Sequence, residues 1–552
     1  MNINESINKA IPHLLKWQYQ DGHFEGELSS NTFPTCAYAL IQLELGLPID
    51  DRLIEYFAKS QKASGLWGLD SSEGEDKEAT LLAKLALTEI ERITSDEKIK
   101  PVIQKIPDLK PNKWLIKLFY ARYNRISWKE LNAPKFLSMM MRLGEKLLPI
   151  LPKSFISRLK PPEQYAPPVR LFYTQTFQNL FIAEKHTLVP VFIIMELHGK
   201  KRPEVIKELL KWLIDNRCKD GSWFRVGLIT AISVMALIDA QKAGYDNDDI
   251  EKAINEGNLW LQNLRSSDGG CREAINLNVW DTALSSLALN LIDADKYKPQ
   301  IDHAINWLIN NQNDDGGWAF SGIPGGNLLS DADDTALALL ACQRSGISRY
   351  HNAIKNSVKW LKEHQSSDGG WGTYRPGLGD VSCVSITSHV IFALLEIGGS
   401  DKEIEKAIIW LRESITEQGY WKDLWLSRNT YGTALAIEAL IRTGHGECEE
   451  VEKGIKWLEH CQNHDGGWGE DINGHRIAST IEQSAWSTYA LLLNDPNSIY
   501  AKKGINYLLT NQNLDGSFNA SCVGIYWEVI GGYSDPIYPY IFTLTALNLA
   551  KK

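Results

Sequence analysis

The stretch Ser330-Asp331-Ala332-Asp333-Asp334-Thr335-Ala336 places three carboxylates within four positions, directly before the apolar run Leu337 to Ala341. Asp and Thr suit the N-cap and first turn of a helix, and Leu337, Leu339 and Leu340 with Ala336 and Ala341 read as a buried one. The acids therefore sit at a helix start that faces the interior. Three acids so close cannot all ionise cheaply in a low-dielectric site, and one held protonated at neutral pH is a proton donor. An acidic first turn favoured by the helix macrodipole needs no chemistry at all. The elements that position the stretch must decide.

Those elements repeat. An aromatic-Leu pair, a few polar residues, Gln, Asp-Gly-Gly and an aromatic recur most clearly at Trp307 to Trp318, Trp360 to Trp371 and Trp457 to Trp468. Weaker copies are Leu15 to Phe24, Phe57 to Trp67, Trp212 to Trp223, Trp260 to Cys271, Trp410 to Trp421 and Tyr507 to Phe518. From Trp212 onward they return about every 47 to 53 residues, close to the period of helical-pair repeats. Each copy ends one helix at its Asp-Gly turn and precedes a second apolar segment: Thr335 to Gln343, Thr387 to Leu395, Thr433 to Arg442 and Ser484 to Leu492. The unit is a helical hairpin whose Gln can satisfy neighbouring backbone and whose Trp can stack on the next repeat. Helices dominate and few strands are expected. The segment from Thr94 to Pro203 is irregular, with Pro-containing spacers, and Leu171 to Phe181 and Leu188 to Leu197 read as buried core before channel lining or membrane contact.

Length and composition bound the rest. The 552 residues, 44 % apolar, suffice for two or three domains with full cores. Against 58 basic residues stand 68 acidic ones, and the net charge of -10 argues against nucleic-acid binding and gives no polybasic membrane anchor. Eight scattered cysteines without a CxxC pair, and no secretory segment at the start, point to a reducing cytoplasm. No apolar run reaches the roughly 18 residues that span a bilayer, which limits membrane association to peripheral contact. Oligomeric state is not legible.

With Gln-Asp-Gly-Gly-Trp repeats and Asp331-Ala332-Asp333-Asp334-Thr335-Ala336 in one chain, the sequence resembles the squalene-hopene cyclases and the other class II terpene cyclases, whose proton-donating motif is DxDD followed by Thr-Ala. Further matching stretches are Val279 to Leu284, Ser388-His389-Val390, Trp425 with Tyr431-Gly432-Thr433, Ser479 to Trp486, and Tyr538 to Leu547. The resemblance implies an all-α fold of two (α/α) barrels or toroids, of the β and γ type, with Gln-Trp (QW) repeats. Residues 1-24 and 266-552 would form the barrel with the acid motif, and 25-265 the inserted second barrel.

An alkene is a very weak base, so protonating one takes a strong acid held against an apolar substrate. The resemblance makes Asp333 the donor, with Asp331 and Asp334 holding its geometry and His389 opposite, favouring one protonation state. The carbocation that follows must be guided by aromatic faces, each worth about 2 kcal/mol or more when dry. Phe320 and Trp425 are the first candidates, with Tyr431 able instead to orient a water near the donor; Trp280, Tyr538, Trp318 and Trp527 rank below them, since most Trp residues belong to the repeats. The implied activity is an isomerase-type cyclisation of a linear isoprenoid, and protonation itself requires no cofactor.

Departures from the squalene-cyclase pattern bear on the substrate. Ala37 stands for an expected glutamate, Ala183 for an aromatic and Leu328-Leu329 for paired tyrosines; the Trp371 to His389 loop is short, and aromatics expected near Gly531 and Asp535 are missing or displaced. These departures slightly favour geranylgeranyl diphosphate, giving a bicyclic copalyl or labdane-type diphosphate, over squalene or another long polyprene. Asp423-x-Trp425 with Tyr431-x-Thr433, and Val384 to His389, also look like bacterial class II diterpene cyclases. A diphosphate would call for Mg2+, with Glu75 and Asp76, beside Glu73 and Glu78, as candidate donors, although a solvated acidic loop is the simpler reading; Lys185 and His186 are the candidate diphosphate contacts. Product skeleton and quenching step are not legible. Asp246-Asn247-Asp248-Asp249 reads as a turn, not as an ionisation motif. A prenyltransferase with a zinc site of Asp, Cys and His, and a non-catalytic toroid in which the acids only cap a helix, are the remote alternatives.

Overall fold

The computed structural model describes residues 2–70, 74–134, 163–322, 328–348, 351–374, 380–471, 473–526 and 531–551. Glu73 and Trp527 lie outside them, as does part of the Trp371 to His389 loop. The fold is an all-α double toroid with two units, Met1–Ser29 with Asn276–Lys552, and Ser30–Ile275. Both divisions fall later than the expected 24/25 and 265/266. Residues 26 to 29 stay with the first unit because Gly26, Leu28 and Ser29 donate backbone N–H groups to Asp281, Asn276 and Ser534. Residues 266 to 271 stay with the second, held by Ser30 on Asp268 and Asn31 on Cys271.

In the first unit, helices Asn278–Asp293, Ala332–Arg344, Val384–Ile397, Arg428–Arg442, Ile481–Asn494 and Tyr538–Leu549 each pack on the next, and the last packs on the first. That closes an inner ring. Each inner helix carries an outer one: Lys298–Asn310, Asn352–Glu363, Asp401–Glu413, Glu449–Cys461 and Ile499–Thr510, with Ile3–Leu15 against Tyr538–Leu549. Inner helices are buried on nearly every side, as at 332 to 342, whereas outer helices bury one stripe, as Ile404, Ala407, Ile408 and Leu411 do.

The repeat residues close the hairpins as hydrogen-bonding parts. Gln312, Gln365 and Gln462 each donate to the carbonyl of their own turn glycine and to a carbonyl at the start of the next outer helix, Ala353, Glu403 and Tyr500. The closing Trp is a buried strut: Trp318, Trp371, Trp421 and Trp468 donate Nε1–H back to the carbonyls of Leu308, Leu361, Leu411 and Leu458. Trp421 and Trp468 reach the next repeat edge-first, at Gly454 and Gly504, where an added Cβ would stand only 2.8 and 3.0 Å from the ring.

In the second unit, helices Thr32–Glu44, Lys77–Thr94 and Trp114–Arg122 pack in succession, Ile182–His198 packs on Gly227–Lys242, and Gly227–Lys242 packs on Thr32–Glu44. The stretch Leu171 to Phe181 is not one core helix. It divides into the short helices Val169–Tyr173 and Gln175–Asn179, with Tyr173 exposed, while Leu188 to Leu197 lies inside Ile182–His198. Asn247 caps Asp248–Asn263, so the Asp246 to Asp249 stretch is a helix start. The strands among the described residues are two small hairpins, Trp468–Glu470 with Arg476–Thr480 and Gly524–Tyr526 with Gly531–Tyr533. No described helix is long and apolar enough to cross a membrane.

Candidate active site

The starts of four inner helices, Ala332–Arg344, Val384–Ile397, Arg428–Arg442 and Ile481–Asn494, are each locked to the Trp turn before them. Trp318, Trp371 and Trp421 donate backbone N–H groups to the hydroxyls of Thr335, Thr387 and Thr433, at 2.8 to 3.0 Å. Asp333, His389 and Tyr431 each lie two residues from one of those threonines. The repeat skeleton thus fixes the first turn of three successive inner helices and aims a polar side chain from each into the same ring.

Asp331 both caps its helix and belongs to the acid cluster, because its Oδ1 accepts the Asp334 N–H at 2.8 Å while all three carboxylates are buried. Burial pushes the Asp331 carboxyl up to about 8, helped by the charge of Asp333. Burial together with Asp331 and Asp333 drives Asp334 well above the usual range. Asp333 is raised by burial too, but His389 opposes the rise. The contact is short: His389 Nδ1 lies 2.6 Å from Asp333 Oδ1, with the residues 4 % and 6 % exposed. On the other side of the imidazole, Nε2 is 3.5 Å from the Tyr431 hydroxyl, a phenol that burial keeps protonated.

Rings surround this chain. Trp280, Phe392 and Tyr431 meet His389 edge-on at 5.9, 6.1 and 6.3 Å. From Tyr431 the contacts run to Trp486 at 4.9 Å and Phe542 at 6.1 Å, then from Phe542 to Tyr538 at 5.7 Å, Tyr533 at 6.3 Å and Tyr526 at 4.6 Å. Trp280 and Tyr538, the lower-ranked candidates, therefore sit in the continuous aromatic system, whereas the two favoured ones are half-buried. Trp425 is anchored by Nε1–H to the Thr373 hydroxyl, and the Phe320 carbonyl accepts the Val279 N–H. Asp423 is structural, accepting from Cys383, Ser385, Trp425 and Leu426. Phe392, Tyr526 and Tyr533 carry no motif of their own, and Phe542 lies unremarked within the matching stretch Tyr538 to Leu547. Their spacing on inner helices and hairpin was the only signal that could have found them.

The residues suggested for a diphosphate and its metal fare differently. Asp76 caps Lys77–Thr94 and exposed Glu75 accepts the Ser64 hydroxyl. Among the described residues no group of three or more His, Cys, Asp and Glu side chains able to hold a metal is present. His186 is fully buried beside Trp212, no partner reaches either ring nitrogen, and burial lowers it to about 4. An imidazole kept neutral by burial offers a diphosphate no charge. Lys185 is turned to the carbonyl of Gln178.

Comparisons with known proteins agree with this geometry. Residues 375–548 match the squalene-hopene cyclase C-terminal domain family, and 197–411 the prenyltransferase alpha-alpha toroid domain family. The squalene-hopene cyclase of Alicyclobacillus acidocaldarius is 25 % identical over 631 residues, covering 99 % of this chain and 97 % of its own. That of Bradyrhizobium diazoefficiens is 23 % identical over 596 residues, covering 93 % and 89 %. Among solved structures, the ent-copalyl diphosphate synthase from Streptomyces platensis shares the fold, with a TM-score of 0.60, 17 % identity, and 99 % and 100 % of the two chains covered. Repeats, closed ring, buried acids and relatives converge on the class II terpene cyclase superfamily.

Proposed function

We propose that the protein cyclises a linear polyprene by protonating its terminal double bond from Asp333, and that the substrate is a long uncharged chain of the squalene class. The buried 2.6 Å contact of His389 with Asp333 carries the first part. With Nδ1–H donated to Oδ1, the proton to be transferred sits on Oδ2, and the contact with His389, which opposes the rise that burial causes, makes that carboxyl a stronger acid. The Oδ2–H bond breaks, a C–H bond forms at the alkene, and the cation passes along the chain as each π bond closes a ring. Loss of a proton from the last cation, or capture of water with loss of its proton, balances the first step. Tyr431, Trp280, Trp486 and Phe542 present faces to the intermediates, and Tyr431 is placed to re-protonate or hold a water beside the donor.

The aromatic run from Trp280 to Tyr526 supports a long chain. Aromatic groups beyond the first rings are what late cations need, and Tyr526, Tyr533 and Tyr538 supply them where the sequence suggested a gap. The full-length relatives named as squalene-hopene cyclases support it as well. Geranylgeranyl diphosphate is the second reading, favoured by Ala37, Ala183 and Leu328-Leu329, but Lys185, His186, Glu75 and Asp76 lend it no support. Uptake of such a lipid calls for peripheral membrane contact, and eight cysteines without a CxxC pair fit a reducing cytoplasm.

Product analysis after incubation with squalene and with geranylgeranyl diphosphate tests both parts. Cyclic triterpenes from squalene alone are expected, and turnover of the diphosphate alone overturns the substrate. Asp333→Asn should abolish cyclisation of either; retained turnover removes Asp333 as the donor.

A further inference from the structure

Sequence comparison marks position 535 only as one where an aromatic is missing, yet the structure buries a carboxyl there completely, against a second one, Asp281. Asp281 begins helix Asn278–Asp293, Asp535 precedes helix Tyr538–Leu549, and those two helices close the ring. One oxygen of each is held by backbone: Asp281 Oδ2 accepts the Gly26 N–H at 2.9 Å and Asp535 Oδ1 the Ile537 N–H at 2.8 Å. Gly26 must be glycine, since a Cβ would collide with the Asp535 carboxyl. No N–H or hydroxyl reaches the other two oxygens, Asp281 Oδ1 and Asp535 Oδ2. The carboxyls hydrogen-bond each other, which takes a proton between them. Asp334 Oδ1 is likewise reached by no donor, and the charge of Asp281 bears on Asp334, less than burial, Asp331 and Asp333 do.

We propose that Asp281 and Asp535 are positioning residues, a proton-sharing pair whose charge holds the proton on Asp334 and so sets the alkaline limit at which the Asp331, Asp333 and Asp334 cluster can donate. This rests on the reading of Asp333 as donor. Burial and the charge of Asp535 raise Asp281 well above the carboxylate range, while burial, with the charge of Glu25, raises Asp535 to about 7 against the opposing bonds from the Ile537 N–H and Asp281. Above neutrality the pair therefore carries a negative charge beside Asp334, which raises the proton affinity of Asp334 as the solution supply falls. The titratable groups facing the pair are Glu25, with His23 beside it; Asp331, Asp333 and Asp334; Tyr533 and Tyr538; and His389 across Trp280. Other charges on the packed helices are engaged elsewhere, among them Lys298 with Asp302, Glu5 with Lys9, His13 with the Asp515 carbonyl, Glu482 with the Ser521 N–H, Asp293 with the Lys296 N–H and Arg344 with Glu396.

The double variant Asp281→Asn with Asp535→Asn keeps shape and hydrogen bonding but is neutral at every pH. Its alkaline limb of kcat should move down by about one pH unit, roughly a tenfold loss on that side, with KM little changed. A limb that coincides with the wild-type one overturns the proposal, because a packing role alone moves stability and not the limb. A second measurement needs no substrate and no double variant. Infrared pH-difference spectra of the folded wild-type protein should show a carboxyl ionising near neutrality that persists in Asp333→Asn and is absent from Asp535→Asn. A spectrum of Asp535→Asn identical to wild type sinks the pair even if Asp333 proves to be the donor, and activity retained in Asp333→Asn sinks the donor while leaving this spectrum unaffected.

Discussion

His389 bridges the acid and the aromatic system, with Asp333 on Nδ1 and the Tyr431 hydroxyl near Nε2. General acid catalysis by a positioned group contributes about 10²- to 10⁴-fold. His389→Gln should therefore lower kcat by about 10²-fold or more with a small change in KM, measured by product formation at saturating substrate; a loss confined to KM would make the imidazole a binding group only. Tyr431→Phe keeps the ring and should cost less than about tenfold, whereas Tyr431→Ala should release early-quenched products, detectable by mass spectrometry. The same residues set a pH dependence of stability. The raised carboxyls Asp331 and Asp334 hold protons that the unfolded chain releases near pH 4. Their contribution is complete below that pH and is lost as pH rises towards about 8, where Asp331 ionises in the folded state. Scanning calorimetry should show Tm falling between pH 5 and 8, and Asp334→Asn should flatten that slope. The acid stretch itself was legible because three carboxylates before an apolar run leave few alternatives. Asp535 was not legible as a partner, since only ring closure brings it to Asp281, from the other end of the unit.

At the scale of elements, the hairpin joint was the most readable part of the chain. Gln, Asp-Gly and Trp each have a physical duty there, and the bonds of Gln312, Gln365 and Gln462 fulfil the one expected of Gln. What periodicity could not reveal is the direction of the Trp ring, which packs edge-first on a glycine of the following outer helix. Gly454→Val would drive a branched side chain into the Trp421 ring and the Ile437 side chain, and overpacking of this kind costs about 1–3 kcal/mol. Trp421→Ala alone should cost about 3–5 kcal/mol. If the two groups meet as described, combining them should cost less than the sum by about 1 kcal/mol or more in chemical denaturation; strict additivity would show that they do not touch. The two small hairpins were hard to anticipate, because strands of three to five residues leave too few positions for alternation to register.

For the whole molecule, repeats and resemblance gave the double toroid, and the division between its units was displaced because the deciding bonds join residues far apart in sequence. Ser29 belongs with Ser534, and Ser30 with Asp268. The closing contacts have a consequence in time. Residues 30 to 275 are contiguous and can fold as soon as they are synthesised, but helix Ile3–Leu15 has to wait for the turn at Gln512, which bonds Ser6, and for helix Tyr538–Leu549 to emerge. At about 5–20 residues per second that delay is roughly half a minute to nearly two minutes. For that interval Ile7, Ile11 and Leu14, buried in the finished ring, are surface that a holdase chaperone can grip. Nascent chains arrested before Tyr538 should be cut by protease within Ile3–Leu15 while Ser30–Ile275 resists, so the last helix made is the latch for the first.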